Sequence, residues 1–160
     1  MHVPQGFNTL HIIESLGHSA KQPGLELVKR LKPTLTDQLG IPLHHWDVHS
    51  TAELVDALEK IYQSEVAARG TPALHFECHG SADDGIKLRD GSCYAWSALA
   101  NQLLRFNRAS EFHTLAVFSC CEGISQITSV SSGKACPFAA LVGCDDTIST
   151  PELLEGFDRF

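Results

Sequence analysis

The feature that most constrains this chain is alternation. Short, β-rich apolar runs recur at residues 9–16, 42–48, 73–78, 114–120 and 138–144, and segments of helical period fill most of the gaps between them. Leu25, Leu27, Val28, Leu31, Leu35 and Leu39 form one such segment; Gly40 ends it, and Pro33 is placed to split or kink it. Ser50 and Glu53 have capping-box spacing and open a second, carrying Leu54, Val55, Leu58, Ile61, Tyr62 and Val66 and ending near Gly70. A third runs from Trp96 to Phe106, and Pro151 is suited to the first turn of a last helix. Residues 83–91 carry Asp-Gly turn signals around Ile86 and Leu88 and read as a hairpin. Strands alternating with helices predict an α/β fold of three layers, a mostly parallel central sheet with helices on both faces.

Composition narrows the function classes. A chain of 160 residues with 43% hydrophobic and 19% charged residues is not wholly disordered, and it shows no linker or repeat. One domain over residues 1–160 is expected, burying about 70% of its unfolded surface. The formal charge is −7 and no Lys/Arg cluster exists, which argues against a nucleic-acid partner. No apolar run approaches the roughly 18 residues of a membrane span, and residues 1–8 lack signal-peptide character, so a cytoplasmic location is expected. The cysteines at 78, 93, 120, 121, 136 and 144 are then expected to be free thiols, mostly buried.

Ligands of parallel sheets bind beyond the carboxyl ends of the strands. That rule selects His79-Gly80 after the third strand and Cys120-Cys121 after the fourth. A cysteine nucleophile needs a base and needs donors for the oxyanion it creates. His79 supplies an imidazole, Gly80 an unencumbered amide, and Gly123 permits a sharp exit after the cysteines.

The same residues resemble a known family. The block 74–80, LHFECHG, is similar to the strand-then-His-Gly block of caspase-like peptidases, in particular the CHAT family. Residues 85–91 resemble the hairpin that follows, residues 115–123 (LAVFSCCEG) the nucleophile block, and residues 141–143 the next strand. The resemblance implies a caspase-like cysteine endopeptidase with a His79–Cys121 dyad. Backbone amides of Gly80 and Cys121 match the oxyanion donors, and Cys120 falls where the family usually has Ala. No metal or other cofactor is implied. The partners implied are a protein or peptide substrate and, as in many relatives, an activating partner within a defence or signalling system. Two departures stand out: Trp is absent after the fifth strand, where Thr150 takes the usual place of Asp, and little sequence follows the last helix. The sixth strand of the full fold is therefore expected to be missing, leaving either a trimmed variant or an edge completed by a partner or a second copy.

Other clusters have simpler readings. His75, Glu77 and His79 share one strand face and set up the rival of a metal-dependent hydrolase, although His75 reads more simply as a hydrogen-bonded core histidine. His44, His45 and His49 are expected to be satisfied or solvent-facing, and His113 exposed. Asp145 and Asp146 are either a turn pair or the acidic wall of a pocket selecting Lys or Arg at P1, with Lys21 and residues 14–18 bordering the same cleft. Selection of Asp is disfavoured because the loops after strands one and five contain no Arg. A non-catalytic caspase-like interaction module is the remaining alternative.

Overall fold

A computed structural model describes residues 6–17, 22–123 and 135–144. Its strands are β1 (Thr9–Ser15), β2 (Leu43–Asp47), β3 (Pro72–Ser81), β4 (Gly85–Lys87), β5 (Cys93–Tyr94), β6 (Leu115–Ser119) and β7 (Ala140–Gly143). The α-helices are α1 (Pro23–Lys32), α2 (Thr51–Ala68) and α3 (Trp96–Ala109). Five strands lie parallel in the order β2-β1-β3-β6-β7. The β4–β5 hairpin extends the end of β3 in antiparallel fashion.

Helices cover both faces. On one side Leu27 of α1 packs with Leu10, Ile12 and Ala73. On the other, Leu54, Leu58 and Ile61 of α2 and Leu99, Leu103 and Phe106 of α3 meet Ile13, Leu74, Phe76, Ala116 and Phe118. Strand alternation explains the split, because successive residues of β1 and β3 serve opposite layers. The expected three-layer α/β architecture is the observed one.

Local signals act as their chemistry dictates. Ser50 caps α2, its side chain accepting from the Glu53 amide at 3.2 Å, while the Glu53 carboxylate accepts from the His49 amide. Arg69, in a left-handed conformation (φ 51°), ends the helix one residue before Gly70. At Pro33 the α-helix stops and a π-helical stretch, Pro33–Gln38, carries the chain on. The last helix expected from Pro151 onward, and any later strand, lie outside the described residues.

One boundary differs from expectation. The third strand does not stop at Cys78. It continues through His79-Gly80-Ser81, because those residues exchange parallel partners for the antiparallel β4, with His79 opposite Lys87. The hairpin residues thus prolong β3 at the sheet edge where ligands of this architecture bind.

Candidate active site

β3 and β6 are neighbours in parallel register, with Glu77 opposite Ser119. His79 and Cys121 each lie two residues further along their own chains. Beyond Ser119 the chain bends sharply. Gly123 donates to the Cys120 carbonyl at 3.3 Å, and Glu122 takes φ 58°. A left-handed conformation in a non-glycine residue is a local cost of the kind that gathers at functional sites. Only glycine fits at 123, since a Cβ there would lie 2.7 Å from the Cβ of Phe118.

Gly80 is fixed by the same turn. A Cβ at this position would sit 2.1 Å from the Cys121 carbonyl oxygen and 3.2 Å from Cys120 Sγ. The backbone at Gly80 therefore packs directly on the backbone at Cys121. The structure brings the His-Gly and Cys-Cys pairs to one place, the carboxyl edge of two adjoining strands. His79 is exposed and Cys121 partly so, whereas Cys120 is 2% exposed and belongs to the core.

Beneath this edge, the face of the sheet toward α1 holds buried polar groups. His75 Nε2 lies 2.7 Å from Glu77 Oε1 and 2.9 Å from Ser119 Oγ, tying β3 to β6. His75 is thus the hydrogen-bonded core histidine. Among the described residues no three His, Cys, Asp or Glu side chains are arranged to hold a metal ion. One strand over, Glu14 is fully buried. Its carboxylate accepts from the Gly24 amide in the first turn of α1 and pairs with His45 at 2.8 Å. Glu14 is therefore a structural residue inside β1 and not a cleft-lining one, which corrects the expectation for the segment after β1.

Other histidines among the described residues have partners as well. His44 stacks on His11 at 5.0 Å, and His11 accepts from the Trp46 indole N–H through Nδ1 while Nε2 meets Glu65 at 2.9 Å. Because Nδ1 accepts, the Nε2 proton is the one shared with Glu65. His49 contacts the Arg89 guanidinium, and His113 is exposed.

An arginine reaches the carboxyl ends of β1 and β2 from elsewhere in the chain, because the β4–β5 hairpin delivers Arg89. Arg89 donates to the Leu16 carbonyl and to both oxygens of Asp47, and its amide donates to Ser15 Oγ. The guanidinium thus clamps the carboxyl ends of β1 and β2. The Asp90-Gly91 turn marked a hairpin, but local spacing carries no signal for where its arginine lands. Asp145, Asp146 and Lys21 lie outside the described residues.

No protein-family model, curated protein or solved structure matches the chain. No helix among the described residues is long and apolar enough to cross a membrane.

Proposed function

We propose that the protein is a cysteine endopeptidase of caspase-like type, with His79 as base and Cys121 as nucleophile. One observation carries the reading: the Gly80 backbone abuts the Cys121 carbonyl at the carboxyl edge of the sheet, so an exposed imidazole and a partly exposed thiol share one strand-end site. In this mechanism His79 takes the Cys121 thiol proton as sulfur attacks the peptide carbonyl. The oxyanion rests on the amides of Gly80 and Cys121. His79 then protonates the leaving amine, and water hydrolyses the thioester. Every step uses groups of the chain and water.

The preferred P1 residue in this reading is Lys or Arg. The Arg89 guanidinium, which a P1 carboxylate would otherwise seek, already holds Asp47 and His49. Asp145 and Asp146 remain as the acidic groups for a basic side chain. A cytoplasmic location and a protein partner that activates the domain or completes the sheet edge belong to the same proposal.

A fluorogenic peptide library tests it. Cys121→Ala is expected to lower cleavage about a thousandfold or more, while Cys120→Ala keeps most of it. Lys or Arg substrates should exceed Asp substrates. Loss with Cys120→Ala and retention with Cys121→Ala would move the nucleophile by one residue. Absence of any thiol-dependent cleavage, with or without candidate activators, would favour the interaction-module alternative.

A further inference from the structure

We propose that Cys78 and Cys120 form a redox-reversible disulfide joining β3 to β6 directly beneath the strand-end site. The pair is set by register. Phe76 lies opposite Phe118, and their rings stack at 4.9 Å. Two residues further along each chain, on the same face, come Cys78 and Cys120. Neighbouring strands lie about 4.8 Å apart, within the Cα separation that a disulfide spans. Both thiols are buried and belong to the same core cluster as the two rings.

The Cys120 sulfur packs against two glycines, Gly80 and Gly123, where a Cβ would approach it to 3.2 and 3.6 Å. Neither residue has that carbon. Interaction with the Cys120 thiol, and then burial, raise the Cys78 pKa well above the ordinary thiol range. Cys78 therefore stays a thiol until an oxidant reaches the pair, and Cys120 is followed directly by the partly exposed Cys121.

The oxidant class is a hydroperoxide. Cys120 Sγ attacks one peroxide oxygen; the O–O bond breaks, an S–O bond forms, and the thiol proton leaves with the departing hydroxide as water. Cys78 Sγ then attacks that sulfur. An S–S bond forms, the S–O bond breaks, and the hydroxyl leaves with the Cys78 proton as a second water. Two thiols are oxidised and one hydrogen peroxide is reduced to two waters. A dithiol reductant reverses the link.

The site stands apart from the peptidase reading, and its test does not depend on cleavage activity. The full chain is treated with hydrogen peroxide, free thiols are blocked by alkylation, and tryptic peptides are mapped by mass. The expected product links the peptide 70–87, which holds Cys78, to the peptide 109–134, which holds Cys120 and Cys121. Fragment sequencing should place the bond at Cys120, and dithiothreitol should abolish it. Cys121→Ala should retain the link, and Cys78→Ser should lose it. The Cys121→Ala result alone decides the case if the Cys78 variant does not fold. A bond to Cys121, links confined to the exposed Cys93 or Cys136, or no link under peroxide that oxidises Cys121 would overturn the proposal.

Discussion

Single residues decide whether the strand ends can meet. Gly80 and Gly123 are both needed because backbone and side-chain atoms occupy the space where a Cβ would go. Gly80→Ala is therefore expected to destabilise the fold by roughly 1–3 kcal/mol through overpacking. It should also reduce peptide cleavage at least tenfold by parting the two strand ends; thermal melting and the library assay read the two effects. His44 offers a residue-scale pH test. Burial and the neighbouring His11 lower its pKa from the ordinary 6.5, with Glu65 partly opposing. The unfolded chain thus binds this proton more readily than the folded one. The contribution to stability is complete above pH 6.5 and is lost as pH falls through the lower folded value. His44→Gln should flatten the decline of melting temperature between about pH 7 and 5 relative to the parent chain. An unchanged slope would assign the decline to other groups. At this scale the sequence was legible where geometry follows from residue type, as with the glycines and the Ser50 cap. It was not legible for Glu14, whose partners come from α1 and β2 and are invisible to local spacing.

Elements are held in place by polar staples as well as by apolar faces. α1 has no side-chain cap at Gln22; instead Glu14 of β1 accepts from its first turn at Gly24. Glycine is suited to that contact, because a Cβ at 24 would lie 2.9 Å from Glu14 Oε2. Glu14→Ala removes the helix anchor and strands His45, so a loss of about 3 kcal/mol is expected in urea denaturation. Glu14→Gln should cost less, since an amide oxygen still accepts from Gly24. The β4–β5 hairpin is stapled in the same manner by Arg89 and by the Asp90 amide on the His49 carbonyl. Element types and order could be read from periodicity because each strand and helix carries its own apolar rhythm. The end of β3 could not, since its last three residues are strand only by virtue of a partner hairpin.

Across the whole molecule, parallel topology does the positioning. The order β2-β1-β3-β6-β7 brings together the ends of two strands that lie far apart in the chain, and the layer of α2 and α3 buries Phe76 and Phe118 beneath them. Parallel neighbours share a carboxyl edge, so a histidine and a cysteine at matching ends come to one edge without a dedicated loop. The alternating pattern made this architecture readable before any coordinates. The place of Arg89 was less readable, because it arrives at the edge of β1 and β2 from a distant hairpin. The central claim is that the His79 imidazole serves the Cys121 sulfur. The rate of Cys121 alkylation by iodoacetamide, followed by peptide mass mapping in the parent chain and in His79→Ala, tests it most directly. The account predicts a rate at least about tenfold slower in the variant, with exposed Cys93 and Cys136 alkylated equally fast in both. Equal rates at Cys121 in the two proteins would contradict it.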